Sequence, residues 1–417
     1  MKEFIVNKLR KIKFLRRMLR KYRKYRRDKA YAEFCQNNEV QENLIIFESF
    51  MGRKYACSPK AIYQAMLQDP RFKDFQFVWA FRSKIKDEKA QIEDLKHAKI
   101  ISYNTIEHCE YSSKAKYFVT NSRLPAFFIK REGQVYIQSW HGTPLKRLGF
   151  DIVGEGANAV HTLDRLKEMY SIDASRYTYL LSPSAFTTEK LTGAFNLTEN
   201  NPDIEIIEEG YPRNDFLFNY TDNDVKRMKN AIGIDTDKKI ILYAPTWRDN
   251  QHVGGVGYTY DLGIDFGKLQ EELSDEYSIL FRPHYFVANS FDFEKYAGFV
   301  YNVADVEDIN DLYILADILI TDYSSVFFDY ANLKRPILFY MYDLKEYAED
   351  IRGFYISLEE LPGPIVEEED ELISLLKNAE FCYDEKYECF NKRFNYLDDG
   401  KASERVIEKT IVKDSFC

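Results

Sequence analysis

Ile318-Leu-Ile-Thr-Asp-Tyr-Ser-Ser-Val-Phe-Phe-Asp-Tyr-Ala-Asn-Leu-Lys-Arg-Pro-Ile-Leu-Phe-Tyr340 is the stretch whose reading decides the fold. Three apolar residues, Ile318 to Ile320, run into Thr-Asp-Tyr-Ser-Ser. Val326, Phe327, Tyr330 and Leu333 then recur at helical spacing before Pro336 opens a second apolar run. The pattern predicts strand, tight turn, helix, strand. A buried strand that ends in small hydroxyl residues at a helix start leaves backbone N–H groups and a positive dipole end at the crevice where open α/β sheets bind ligands. An anion suits that position, a phosphate first. Asp and Ser are also ordinary helix caps, so from this stretch alone capping and phosphate binding both stay open.

Outward from it, short apolar runs alternate with helical patterns, the signature of doubly wound α/β proteins. Leu44–Phe47, Phe75–Phe81, Lys99–Ser102, Tyr117–Thr120, Val135–Ser139 and Tyr179–Ser182 read as strands, with helices such as Pro59–Leu67 and Ser184–Thr192 between them. The polar break Glu199-Asn-Asn-Pro-Asp203 is read as the start of a second half. Its strands are Ile204–Ile207, Ile240–Ala244, Ser278–Phe281, Gly298–Asn302, Ile318–Thr321 and Pro336–Tyr340, with helices near Asp224–Ile232, Phe266–Leu273 and Asn310–Ala316. The expected organisation is a basic segment at 1–30, Rossmann-like lobes at 31–200 and 201–366, and a helical tail at 367–417 that packs back on the first lobe. No internal repeat is present.

The 417 residues exceed one ordinary core, which agrees with two lobes. The net charge of -9 hides an asymmetry: residues 1–30 hold 14 Lys or Arg against Glu3 and Asp28, so the rest of the chain is strongly acidic. That balance argues against a nucleic-acid binder, while the basic block asks for an anionic partner of its own. Phe4, Ile5, Leu9, Ile12, Leu15, Met18, Leu19 and Tyr22 interleave with those cations at helical spacing, as in a helix lying on an anionic membrane surface. An RNA-binding arm or a solvated helix are the competing readings. Six cysteines show neither a Cys-x-x-Cys pair nor zinc spacing and read as reduced thiols. No run of about 18 apolar residues exists, so the chain is expected on the cytosolic side.

Four polar clusters fall at predicted strand ends. Ser139-Trp-His-Gly-Thr-Pro-Leu-Lys-Arg147 exposes His141 on a turn that Gly142 permits, although a histidine merely satisfied in a loop is the commoner case. Tyr243-Ala-Pro-Thr-Trp-Arg-Asp249 offers Arg248 and Asp249, either to a phosphate or hydroxyl or to each other as a surface ion pair. Phe281-Arg-Pro-His-Tyr285 holds Arg282 and His284 on one rim, stiffened by Pro283. The turn Asp322-Tyr-Ser-Ser325 follows Asp308 and Asp311, which either cap their helix or reach ribose hydroxyls. The P-loop pattern is absent, metal-type clusters are missing, and Gly154-Glu-Gly-Ala-Asn-Ala159 imitates a dinucleotide fingerprint without a buried strand before it.

Trp140-His-Gly-Thr-Pro-Leu-Lys, Ala244-Pro-Thr-Trp-Arg-Asp249, Arg282-Pro-His284 and Thr321-Asp-Tyr-Ser-Ser-Val-Phe-Phe-Asp-Tyr330 resemble the CDP-glycerol glycerophosphotransferase family of teichoic acid synthesis, in that family's order. The resemblance covers about His141 to Gly353 strongly and the first lobe more loosely. It implies a GT-B fold with CDP-alcohol in the C-terminal lobe. It also implies an undecaprenyl-pyrophosphate-linked acceptor in the cleft, a place at the cytoplasmic face of the membrane, and no cofactor or metal. By resemblance, His141 is the base for the acceptor hydroxyl and His284, with Arg282, serves the departing CMP. Gly142 and Thr143 line the cleft, Ser324 and Ser325 hold phosphates, Arg248 and Asp249 shape the donor pocket, and Asp311 and Asp322 contact substrate polar groups. The modest length resembles the family's priming enzymes more than its longer polymerases. A CDP-ribitol transferase, a nucleotide-sugar glycosyltransferase of the same fold, and a non-catalytic membrane-bound nucleotide-binding protein are the alternatives.

Overall fold

The computed structural model describes residues 2–153, 162–234, 237–246, 252–253, 257–258, 263–283, 291–345, 353–378 and 383–416. Arg248, Asp249, His284 and the glycine pattern at 154–159 lie outside them.

Two parallel sheets form the two lobes. In the first, β1 (Gln41–Glu48), β2 (Gln76–Phe81), β3 (Lys99–Ser102), β4 (Ala115–Thr120), β5 (Val135–Gln138), β6 (Tyr179–Ser182) and β7 (Glu205–Glu208) are ordered β3-β2-β1-β4-β5-β6-β7. Alternate residues enter opposite cores. Ile45, Phe47, Trp79, Tyr117 and Val119 face one side, and Leu44, Ile46, Val78, Ala80 and Phe118 the other. Helices cover both faces, which is why these strands read as continuous apolar runs.

The second lobe has β8 (Lys239–Ala244), β11 (Tyr277–Phe281), β12 (Val300–Asn302), β13 (Ile318–Thr321), β14 (Ile337–Tyr340) and β15 (Ile365–Val366), ordered β12-β11-β8-β13-β14-β15. The two-residue strands β9 (His252–Val253) and β10 (Gly257–Tyr258) pair apart from it. Leu242, Leu280, Leu319 and Phe339 fill one face; Ile241, Ile279, Ile320 and Leu338 fill the other. Two facing α/β lobes of this kind make a GT-B-like arrangement.

The structure corrects two boundaries. β7, assigned by the sequence reading to the second half, hydrogen-bonds β6 and buries Ile207 in the first lobe's core. The polar break before it is the end of the short helix Leu197–Asn200 and the turn after it, and the chain changes lobes beyond β7, where Leu217 and Met228 enter the second core. The N-terminal helix runs from Lys2 to Asn37 and does not stop at residue 30. Its last turns bury Tyr31, whose hydroxyl donates to Ile129 O at 2.8 Å.

The tail crosses back between lobes. Leu372 and Leu376 sit in the second lobe, and Phe390 and Phe394 continue there, with Phe394 meeting Phe186 of the first lobe at 4.9 Å between ring centroids. Val406, Ile407 and Ile411 then enter the first lobe's core.

Candidate active site

Strand order reverses between β1 and β4 in the first sheet and between β8 and β13 in the second, and ligands of open sheets bind at the carboxyl ends of strands at such points. Two hollows lie where the loops from those ends face each other. One, of about 370 Å³, is lined by residues that include Lys54, Cys57, Arg213, Arg282 and Asp308; the other, of about 420 Å³, includes Gly142, Thr143, Lys146, Thr246 and Ser324. His141 and Ser325 line both. The strand-end loop of one lobe and the Asp322–Ser325 turn of the other therefore meet at the wall the hollows share. A Cβ on Gly142 would stand 3.2 Å from Ser325 Oγ, so glycine allows the close approach.

His141 is held by its neighbours. Gln138 Oε1 accepts the Trp140 amide at 2.9 Å, and Trp140 adopts φ +49°, a left-handed conformation that costs a bulky residue about 1–2 kcal/mol. The turn aims the imidazole so that Nδ1 lies 2.9 Å from Asn121 O. A carbonyl only accepts, so Nδ1 carries the hydrogen and Nε2 keeps a lone pair. The Asn121 side chain is itself fixed, its Oδ1 accepting the Phe50 amide at 2.7 Å. Desolvation by the surrounding loops, and next the Arg213 guanidinium, hold the His141 pKa below the usual histidine value, while the Asn121 carbonyl opposes the shift. The ring remains exposed to cleft water, which limits the desolvation. At neutral pH the imidazole is a free base.

The turn after β13 differs in part from expectation. Asp322 is 2% exposed, and its carboxylate accepts the Thr246 amide at 2.8 and 3.0 Å, tying the end of β8 to the end of β13. It lines neither of these two hollows, and its bond to the Thr246 amide makes it a brace between the two strand ends. The helix after Ser325 spans only Val326–Tyr330 before a 3-10 turn at Ala331–Leu333, shorter than the apolar spacing implied. Its dipole is correspondingly weak. Asp311 also stands apart, lining a separate hollow of about 430 Å³ with Asn302, Asp305 and Glu307. Burial pushes its pKa up to about 6, with Lys60 opposing and Asp308 adding to the rise. Asp308 caps the helix Ile309–Leu315 through the Asn310 amide and pairs with Lys60 of the first lobe at 3.0 Å.

Arg282 lines the first hollow and donates to Val303 O at 3.1 Å and Val306 O at 3.3 Å, a tether that leaves other guanidinium hydrogens for a ligand. Arg53, Lys54, Cys57, Arg213 and Asp329 line the same hollow and were missed in the sequence. Arg53 and Lys54 had a positional signal, since Glu48-Ser-Phe-Met-Gly-Arg-Lys54 leaves β1 at the switch point. Arg213 had none: its 2.7 Å pair with Asp329 joins residues far apart in the chain. Among the described residues no group of three or more His, Cys, Asp or Glu is disposed to hold a metal, and no helix is long and apolar enough to cross a membrane.

Comparison with known proteins agrees with this arrangement. A sequence model of the family CDP-Glycerol:Poly(glycerophosphate) glycerophosphotransferase matches residues 30–413. A teichoic acid poly(glycerol phosphate) polymerase of Bacillus spizizenii is 39% identical over 377 residues, covering 89% of this chain and 92% of the relative. A polymerase of the same description from Bacillus subtilis is 38% identical, covering 97% of this chain and 53% of its own length. A solved structure of the wall teichoic acid polymerase TagF, a histidine-to-asparagine variant soaked with CDPG, superposes with a TM-score of 0.85 at 36% identity. It covers 99% of this chain and 98% of that one.

Proposed function

Because the chain belongs to the CDP-glycerol:poly(glycerophosphate) glycerophosphotransferase family, we propose that it transfers glycerol phosphate from CDP-glycerol to a hydroxyl of a membrane lipid-linked acceptor in teichoic acid or related polymer synthesis. One observation carries the reading at the site: His141, with a free Nε2, stands on the wall shared by the two interlobe hollows, opposite Ser325. An acceptor hydroxyl attacks the distal phosphorus of the donor. Its oxygen forms the new P–O bond, its proton passes to His141 Nε2, and the bond to the bridging oxygen breaks as CMP leaves with that electron pair. Such a transfer needs positioning and charge stabilisation more than covalent catalysis.

Arg282 supplies charge to the pyrophosphate, and Ser324 and Ser325 donate to its oxygens. His284 is assigned to the departing CMP, and Arg248 and Asp249 to the donor pocket, from the family's motifs alone. No cofactor is required in this scheme. The acceptor is a polyprenyl-pyrophosphate-linked saccharide or its glycerol-phosphate-extended form, met at the cytoplasmic membrane face, where the helix from Lys2 lays its cations on anionic lipid. Modest length does not mark a priming enzyme, since the Bacillus spizizenii relative of similar length is named a polymerase.

The test is product mass. With CDP-glycerol and a synthetic lipid-linked disaccharide, with or without one glycerol phosphate already attached, the product gains one or more glycerol-phosphate units on at least one of the two. No mass gain on either would contradict the acceptor class.

A further inference from the structure

The loop after β1 brings cations into the cleft that the scheme above leaves unused. Phe50, Met51 and Gly52 adopt φ of +50°, +56° and +70°, a sharp turn that delivers Arg53 and Lys54 to the 370 Å³ hollow. A Cβ on Gly52 would lie 2.8 Å from Tyr103 Cβ and 2.9 Å from Ala80 O, so the turn requires glycine.

Lys54 Nζ donates to Val306 O at 2.9 Å. Arg282, from the opposite lobe, donates to the same oxygen with Nη1 at 3.3 Å and Nη2 at 3.4 Å. One carbonyl thus holds two cations, one from each lobe. Burial and then the Arg282 charge push the Lys54 pKa down to about 8, against the pull of Glu307, Asp308 and Asp305.

Carboxylates facing the hollow are already engaged. Glu307 pairs with Lys89 at 2.9 Å and also accepts the Tyr55 amide; Asp308 pairs with Lys60 at 3.0 Å and Asp329 with Arg213 at 2.7 Å. Arg213 is 6% exposed, lines the same hollow, and among the described residues its Nε has no hydrogen-bond partner. Arg213 thus borders the same hollow as Lys54 and Arg282, and three cations drawn from both lobes around one space suit an anion. Cys57, the first residue of the helix Cys57–Gln68, borders it, and that helix has no side-chain cap at Ala56.

We propose that Lys54, Arg213 and Arg282 form a phosphate-binding subsite that spans the two lobes, in the hollow that Ser325 also borders, and takes a phosphoryl group of one of the two substrates. The subsite rests on the phosphotransfer reading only for the owner of that phosphate, either the donor's pyrophosphate or the acceptor's phosphate. An anion there removes the repulsion between Lys54 and Arg282 and links the lobes through its own oxygens.

Calorimetric titration of inorganic pyrophosphate into the full chain tests it. Lys54→Gln keeps a donor for Val306 O and loses the charge; it is expected to weaken binding about 10-fold or more, while Lys54→Arg stays within about threefold of the unaltered protein. Equal affinity in Lys54→Gln, or no binding by the unaltered protein, overturns the subsite. Steady-state kinetics then identify the owner. A KM rise in Lys54→Gln for CDP-glycerol marks a donor phosphate, and a rise for the lipid-linked acceptor marks an acceptor phosphate. Lys54-dependent pyrophosphate binding without any turnover of CDP-glycerol keeps the subsite and refutes the proposed donor. Normal turnover with Lys54-independent binding does the reverse.

Discussion

His141 gives the sharpest expectations at the scale of single residues. Its Nδ1 hydrogen is committed to Asn121 O, so the proposed scheme rests on an unprotonated Nε2. His141→Ala is expected to lower kcat by about 100-fold or more with little change in the CDP-glycerol KM; a near-normal kcat would remove the residue from the chemistry. The sign of the pH dependence follows from the lowered pKa. The active form is the neutral one, so kcat stays level through neutral pH and falls only on acidification past a midpoint below the ordinary histidine value, read from a pH–rate profile. Asp322→Ala removes the acceptor of a buried amide and should cost about 1–3 kcal/mol in chemical denaturation, because Thr246 N loses its partner. The place of His141 at the cleft was legible because it follows a buried strand within the motif Trp140-His-Gly-Thr-Pro-Leu-Lys, while its chemical role came from the family resemblance alone. The bond of Asp322 to the Thr246 amide was not legible, because the sequence does not reveal which strand end a turn carboxylate faces.

Among the elements, the N-terminal helix combines two parts. Phe14, Leu15, Met18, Leu19, Tyr22 and Tyr25 are each 52–63% exposed and fall within an arc of about 140° at helical spacing, while Tyr31 anchors the last turns on the first lobe. Removing residues 1–25 should release the protein from anionic liposomes and leave its thermal midpoint nearly unchanged; undiminished sedimentation with the vesicles would contradict membrane binding by the helix. The tail makes the opposite kind of element, buried and structural. Phe394→Ala opens a cavity between Phe186, Phe328 and Phe390 and should cost about 3–5 kcal/mol in equilibrium unfolding. The strand and helix cores were legible from apolar periodicity, and β3, β6 and β13 fall at the predicted limits. The lobe to which β7 belongs was not. Membership is decided by hydrogen bonds to β6, and a polar turn looks the same whether it links two domains or two elements of one.

In the whole molecule, sequence length and the repeated strand–helix alternation made two facing lobes readable, and motifs at strand ends located the cleft. The contacts that lock the lobes together were not readable. Lys60 with Asp308, Lys89 with Glu307 and Arg213 with Asp329 each join segments more than 100 residues apart, and no local pattern announces such pairs. Buried Arg213 with Asp329 is the pair whose rupture matters most. Arg213→Ala leaves a carboxylate uncompensated and should destabilise the protein by about 3–5 kcal/mol, whereas exposed pairs elsewhere contribute less than about 1 kcal/mol. The central claim is that this cleft moves glycerol phosphate from CDP-glycerol with His141 as base. Its most direct measurement is nucleotide release by the purified chain and by His141→Ala, given CDP-glycerol, CDP-ribitol or a UDP-sugar in turn with a lipid-linked acceptor. CMP release from CDP-glycerol that the substitution abolishes is the predicted result. Release from another donor alone, or release that survives the loss of the imidazole, would contradict it.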